Sequence, residues 1–345
     1  MATVSRVLNG KEVVREETLR QVLDAAKALS YVPNVAARAL SIRRSQTVGI
    51  VLPDVHGEFF SELIRGIDVA ARGEGYHILV SGSHSDVGEM LDVLEAMRGR
   101  VDGLIVMAPD VALAALYETL PSDLPLVLLN STADGRDAIT IDNYGGAQAM
   151  MHHLADLGHT RIAFIAGPPQ NADARERLRG FRDAMRGLGP GLKTMAPAEL
   201  RPLEIAGEFT EESGHAAALQ ILKLKPRPTA IFAANDSMAV GALAALAEAW
   251  VSVPVAMSVA GFDDIPIARY IAPPLTTIRV DIADLGRRAF GLLLGAIDQP
   301  AAARRCDCIA TTLVVRKSSC SPEIRTMTGT RPERKLPGRR KGEES

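Results

Sequence analysis

Residues 47–70, TVGIVLPDVHGEFFSELIRGIDVA, decide the fold. Thr47 to Leu52 is a continuous apolar run of strand length. Beyond it Phe59, Phe60, Leu63, Ile64, Ile67 and Ala70 recur at helical spacing, so an amphipathic helix follows the strand. A buried strand leading into such a helix is one βα unit, and repetition of that unit builds a parallel sheet covered by helices.

The unit repeats toward the C-terminus. Further strands are read at Tyr76 to Ser81, Gly103 to Met107, Leu126 to Leu129 and Ile139 to Ile141, with helices in the gaps. A second series opens at Tyr144. It runs helix to Leu157, strand Arg161 to Ala166, helix Arg175 to Leu188, helix Glu211 to Leu224, strand Thr229 to Ala233, helix Ser237 to Trp250 and strand Ser258 to Phe262. Two successive series predict an α/β protein of two doubly wound parallel-sheet lobes. Their ligand belongs in the cleft where the carboxyl ends of the strands face each other. Pro273-Pro274 stiffens the chain before a strand at Thr277 to Val280 and is read as the crossing back between lobes, with helix Asp281 to Ile297 following. The boundaries expected are lobe 1 at about 45–143 and 276–298, lobe 2 at about 144–275 and 299–318, and a disordered basic tail at 319–345.

Toward the N-terminus the pattern changes. Ala2 to Leu8 is a short helix candidate stopped by Asn9-Gly10, and Thr18 to Leu29 carries Leu19, Val22, Leu23, Ala26 and Leu29 on one stripe. A third short helix, Val35 to Ile42, follows the break at Tyr31 to Asn34. The whole chain of 345 residues has a formal net charge of -2. Its first 44 residues nevertheless set Arg6, Lys11, Arg15, Arg20, Lys27, Arg38, Arg43 and Arg44 against only Glu12, Glu16, Glu17 and Asp24. That local cationic segment is the footprint of a nucleic-acid binder.

Hydrophobic residues at 47% and charged ones at 23% describe a globular protein with ample core. With no secretory leader pattern and no apolar run of about 18 residues, the expectation is a cytoplasmic protein, neither exported nor membrane-spanning. Cys306, Cys308 and Cys320 fit a reducing compartment; Cys306-Asp307-Cys308 could hold a metal, but two thiols on opposite faces of a late strand is the favoured reading. No cofactor is expected. Phosphate-binding glycine loops are absent, and His152-His153 are neighbours rather than a same-face metal pair, so no enzyme chemistry is indicated. His159 is read as structural.

Ala2-Thr3-Val4-Ser5-Arg6-Val7-Leu8-Asn9-Gly10 and Tyr31-Val32-Pro33-Asn34-Val35-Ala36-Ala37-Arg38-Ala39-Leu40 resemble the recognition helix and hinge of the lac-repressor (LacI/GalR) family. The resemblance continues through ARERLRGF at 174–181, FAANDSMAVGAL at 232–243, GFDDIPIARY at 261–270 and PPLTTIR at 273–279. It implies a periplasmic-binding-protein-like sensor of about residues 45–318 behind a partial helix-turn-helix segment at 1–44, with the chain beginning inside the recognition helix. A start codon assigned too late is the favoured explanation. Ala2 and Arg6 would then read base edges and Thr3, Ser5 and Asn9 would touch phosphates. Asn34 and Ala37 join the DNA-contacting set, and Leu40 would wedge open a minor-groove step.

The same resemblance implies an effector site built from Phe59, Phe60, Arg177, Phe209, Asn235 and Asp263. Phe60 has a competing reading as core and Arg177 as an interlobe ion pair. Asp236 is expected to cap the helix at Ser237, and Asp264 to cap the turn after it. Where the family often carries asparagine-proline, this chain has His56-Gly57-Glu58; His56 or Glu58 either reaches the ligand or belongs to a solvent-facing loop or helix start. The implied function is a homodimeric, allosteric transcriptional repressor that binds double-stranded operator DNA under control of a small effector, a sugar. Inducer and corepressor remain open alternatives. A solute-binding protein of the same fold, without DNA binding, is the competing class; it predicts an export signal and no cationic N-terminal helices.

Overall fold

The structure, a computed structural model, describes residues 7, 15–29, 44–84, 86–107, 116, 118–121, 123–131, 135–187, 203–300 and 303–322. All eight predicted DNA-contacting residues, Ala2, Thr3, Ser5, Arg6, Asn9, Asn34, Ala37 and Leu40, lie outside the described residues, as do the helix over 35–42 and the tail over 323–345. Of the N-terminal segment, helix α1 (Glu16–Ala28) is described, with Glu16 and Glu17 in its first turn and Lys27 in its last, each favourable to the helix dipole. Leu19, Val22 and Ala26 are half-buried, whereas Leu23 and Leu29 of the same stripe are exposed.

Lobe 1 is a six-stranded sheet. Its strands are β1 (Thr47–Leu52), β2 (His77–Gly82), β3 (Leu104–Val106), β4 (Leu126–Leu129), β5 (Asp137–Ile141) and, at the far edge, Cys306–Ile309. The order is β2-β1-β3-β4-β5 and then Cys306–Ile309, all parallel. Helix α2 (Glu58–Gly73) covers one face, and α3 (Val87–Met97) covers the other. β1 shows why its sequence is apolar throughout. Val48, Ile50 and Leu52 point into the core under α2, while Val51 points into the core with Met90 and Leu94 of α3.

Lobe 2 repeats the plan. Helix α4 (Asn143–Asp156), β6 (Ile162–Ala166), α5 (Ala172–Gly187), β7 (Glu204–Ala206), α6 (Glu211–Ile221), β8 (Ala230–Ala233), α7 (Asp236–Glu248), β9 (Ser258–Asp263) and β10 (Thr276–Arg279) follow in order. The chain then returns to lobe 1 through α8 (Ile282–Asp298) and the edge strand β11 (Cys306–Ile309), and the last described element is β12 (Thr312–Val314) of lobe 2. The second sheet is ordered β7-β6-β8-β9-β10-β12, with β12 antiparallel to β10. Its centre is an aromatic cluster in which Phe164 stacks on Phe181 at 4.8 Å between centroids and meets Phe232 edge-on at 5.2 Å. Each such pair contributes about 1 kcal/mol beyond burial.

Three expectations are corrected. The strand at 276–279 belongs to the second sheet, not the first, because it pairs with β9 in register from Thr276 opposite Ala260. The crossing therefore follows it at Val280-Asp281 instead of falling at Pro273-Pro274, and 306–309 lies in lobe 1 because β11 pairs with β5. Apolar content cannot distinguish two sheets of identical plan, so the lobe that a strand joins is settled by pairing. Ser319 and Cys320 are ordered and not tail: the Ser319 hydroxyl meets Thr276 Oγ1 at 2.9 Å, and the Cys320 N–H donates to Ser258 Oγ at 3.1 Å. Finally, Cys306 and Cys308 stand on the same side of β11, both exposed, since strand alternation returns to one face every second residue.

The chain crosses between lobes at Asp142, at Val280-Asp281 and at Ala310-Thr311. The Asp142 N–H donates to Ile309 O at 3.0 Å and Thr311 Oγ1 donates to Asp142 O at 3.3 Å, so the first and last crossings lie side by side.

Candidate functional site

Parallel strands end with their carboxyl groups toward the loops, and in an open α/β sheet a ligand binds there, at the point where strand order reverses. That reversal falls between β1 and β3 in lobe 1 and between β6 and β8 in lobe 2. Phe59 and Phe60 open α2 just after β1. They are half-buried, packed against the main core and set edge-to-face at 5.5 Å. The other four predicted residues occupy the facing side of the cleft in lobe 2.

Arg177 is the centre of that group. Its side chain is buried on α5, with the guanidinium carbon 3.9 Å from the Phe262 ring centroid and 6.0 Å from that of Phe209. Nε donates to Asn143 Oδ1 at 2.8 Å and Nη1 to Ala234 O at 2.6 Å. Nη2 lies 3.0 Å from Asp263 Oδ1. The pair is an ion pair within lobe 2, which replaces the interlobe alternative. Nε and Nη1 thus donate hydrogen bonds while Nη2 makes a charge contact, which leaves guanidinium N–H capacity for a ligand.

Asp263 ends β9 with a φ of 111° and is followed by Asp264 at 58°, a left-handed pair that non-glycine residues rarely adopt. Such strain persists only where the surroundings hold it, commonly at a binding site. Burial pushes the Asp263 carboxyl up to about 6, against the pull of Arg177, and the nearby Asp173 charge adds to the rise. The approach of Arg177 is not aligned for a hydrogen bond, and Oδ1 is left buried without a donor. A ligand hydroxyl would satisfy it. Asn130 at 57° and Phe209 at 63° share the left-handed conformation.

Asn235 is the N-cap of α7, its Oδ1 accepting from Met238 N at 2.9 Å, while Nδ2 donates to Phe209 O at 3.0 Å. The amide thus keeps one N–H and one lone pair free, and fixes the loop that presents Phe209. The expectation that Asp236 caps this helix is corrected. Asp236 is the first helical residue and fully buried, accepting from Ile265 N at 2.9 Å and from Thr277 Oγ1 at 2.5 Å. It braces the Asp263 loop, and burial together with the Asp263 charge pushes its carboxyl well above the ordinary range. Asp264 points away from the cleft as expected, but its oxygens take Arg279 at 2.6 Å and Arg316 at 2.5 Å instead of capping a turn.

Several residues that sequence reasoning passed over complete the site. Asn130, immediately after β4, donates from Nδ2 to Asp173 Oδ2 at 2.6 Å across the lobes, and Asn143 Nδ2 donates to Asp173 Oδ1 at 2.6 Å. A polar relay thus runs Asn130, Asp173, Asn143, Arg177, Asp263. Asn130 Oδ1 and Ser131 Oγ are buried without partners, like Asp263 Oδ1. Both follow a strand at its carboxyl end, the same positional signal that marks Asn235 and Asp263. At the mouth of the cleft Glu58 Oε2 accepts the Ile267 N–H at 2.8 Å, a second interlobe bond. Glu58 therefore opens α2, the helix-start alternative, and from there reaches the opposite lobe, while His56 is exposed.

Two facing α/β lobes, three chain crossings and a buried Arg–Asp pair in the cleft define the class of periplasmic binding protein-like sensors. A family model described as "Periplasmic binding protein-like domain" matches residues 151–319, and one described as "Bacterial regulatory proteins, lacI family" matches residues 1–34. The ribose operon repressor of Escherichia coli (strain K12) is 35% identical over 307 residues, covering 87% of this chain and 90% of that protein. Among solved structures, the lac repressor dimer bound to operator and the anti-inducer ONPF aligns with a TM-score of 0.80 and 30% identity, over 92% of this chain and 95% of that one. A LacI family transcriptional regulator from Enterococcus faecalis V583 with bound ribose aligns with a TM-score of 0.71 at 29% identity, over 80% of this chain and 99% of that one. The chain belongs to the LacI family, whose members are DNA-binding transcriptional regulators and not enzymes.

Proposed function

We propose that this protein is a cytoplasmic transcriptional repressor that binds operator DNA as a homodimer and is controlled by a sugar held between its lobes. The observation that carries the effector half is the buried Arg177–Asp263 pair, whose Oδ1 lacks a hydrogen-bond donor in a cleft also lined by Phe209. An aromatic face suits the apolar face of a sugar ring, and charge-assisted bonds to hydroxyl groups are about twice as strong as neutral ones. The ribose-bound relative supports a pentose in particular. Phe59, Phe60, Arg177, Phe209, Asn235 and Asp263 are the proposed effector contacts, with Asn130 and Ser131 completing the lobe 1 wall.

The DNA-binding half rests on the family match over residues 1–34 and on the cationic segment over residues 1–44 that contains it. Ala2, Thr3, Ser5, Arg6, Asn9, Asn34, Ala37 and Leu40 are the proposed operator contacts. No helix among the described residues is long and apolar enough to cross a membrane. Binding of phosphate by cationic side chains releases counterions, so operator affinity is expected to fall steeply with salt.

A thermal-shift screen of pentoses, hexoses and purines tests the effector reading. A ligand at 100 times its Kd stabilises the folded state by about 2.7 kcal/mol. One sugar should raise the melting temperature of the wild type and fail to do so for Asp263→Ala. If no sugar shifts the wild type, or the variant responds equally, the assignment of the cleft is wrong.

A further inference from the structure

We infer that Cys306 and Cys308 form a two-thiolate site for a soft, linearly coordinating d10 cation such as Cu(I), on the outer edge of lobe 1 and separate from the cleft. Both thiols are exposed, and both occupy β11, which pairs only with β5 and so forms the sheet edge. Their shared side is fixed by the two cores. Ile309 and its register partner Ile141 point into the core shared with α2 and α8, whereas Ala138, the partner of Cys306, points into the core beneath α3. Cys306 and Cys308 therefore project on the Ala138 side, and Asp307 on the opposite one. Their register partners on β5 are the small residues Ala138 and Thr140, and both thiols are exposed.

Spacing selects the chemistry. Residues two apart on a strand stand about 6.6 Å apart. A linear pair of metal–sulfur bonds of roughly 2.3 Å each places its sulfurs about 4.6 Å apart. Two side chains leaning toward one another close that difference without moving the backbone. A disulfide would demand Cβ atoms about 3.8 Å apart, which the strand meets only by abandoning its pairing with β5. Coordination is thus available where oxidation to a disulfide is not.

Ligand number narrows the ion. Among the described residues no group of three or more His, Cys, Asp or Glu side chains is placed to hold a metal, so within that set the pair supplies two thiolates without a third ligand of these types. Zn(II) structural sites need four ligands, and Mg(II) or Ca(II) need oxygen, whereas thiolates favour Cu(I). On binding, the two S–H protons leave to solvent and one cation joins two sulfurs, giving a complex of net charge -1 with no change of oxidation state.

The test uses the full reduced chain, anaerobically, with Cu(I) presented from a coloured bicinchoninate complex. The wild type should withdraw one Cu(I) per chain, and Cys306→Ser and Cys308→Ser should each abolish withdrawal, while Cys320→Ser behaves as wild type. Thermal melting of each variant checks that it is folded; both positions are exposed, so melting should be unchanged. Retention of tight Cu(I) by either single variant, or failure of the wild type to compete at all, would overturn the inference.

Discussion

At the scale of the residue, Asp263 carries the most information. Its carboxyl, raised to about 6 by burial, holds a proton in the folded state over a pH range where the unfolded chain has released it. The folded state then binds more protons than the unfolded one, so stability falls as pH rises. The contribution is complete below the ordinary value of 3.8, declines through the interval and is lost above about 6. At 1.36 kcal/mol per unit it amounts to on the order of 3 kcal/mol. Asp263→Asn should remove this slope. Denaturant midpoints measured at pH 4.5 and 7 should differ less in the variant than in the wild type, even though Arg177, left without its counter-ion, lowers the variant's stability at both. An unchanged difference would place the titration elsewhere; Asp236 is shifted in the same direction and is the internal comparison. Arg177 and Asp263 were singled out from the motifs around them, and the structure brings the two into contact. Their burial and the strained φ of Asp263 were not legible there, because both depend on the packing of β9 against segments far away in sequence.

At the scale of the element, periodicity and caps did most of the work. β1 and β4 match their expected bounds, and α7 opens one residue earlier than expected because Asn235 and not Asp236 supplies the capping oxygen. Short polar side chains at Asp86, Asp142, Thr210, Asn235 and Asp281 each accept the N–H three residues on, which is why those helices start where they do. β7 had escaped notice, since three residues, two half-buried and one exposed, carry no periodic signal. Between α6 and α7 the approach is backbone to backbone: a Cβ on Gly241 would fall on the Glu211 carbonyl, and one on Gly214 would fall on that of Met238. Gly241→Ala should therefore destabilise lobe 2 by about 1–3 kcal/mol through overpacking. Gly73→Ala, at the end of α2 where an added methyl meets open space, should be neutral or stabilising by up to about 1 kcal/mol. Urea midpoints of the two variants should move in opposite directions; equal shifts would mean that helix propensity and not packing governs Gly241.

At the scale of the whole molecule, the lobes meet through the three crossings and through hydrogen bonds that span the cleft, among them Asn130 to Asp173 and Glu58 to Ile267. A hydrogen bond of this kind contributes about 1 kcal/mol net, enough to move a two-state equilibrium about fivefold. Glu58→Ala should shift the unliganded protein toward a more open arrangement and weaken binding of the sugar found by thermal shift by a similar factor. Glu58→Gln, which keeps an acceptor oxygen, should behave nearly as wild type. Scattering-derived radii of gyration and ligand titrations of the two variants check this, and identical behaviour of Ala, Gln and wild type would show that the bond does not bias closure.

The sequence alone determined the two doubly wound lobes, the order of their longer elements and the family, because apolar periodicity, caps and motif order are local properties that survive without knowledge of contacts. Only the tertiary structure decided which sheet β10, β11 and β12 joined, that Asp236 is a buried brace, and that Glu58 reaches the opposite lobe. Each of these depends on pairing or hydrogen bonding between residues tens to hundreds of positions apart, and no local pattern encodes which of several equally apolar partners a strand will meet. The thiols of Cys306 and Cys308 combine the two levels. Alternation along a strand puts them on one side; the edge position of β11 leaves that side open.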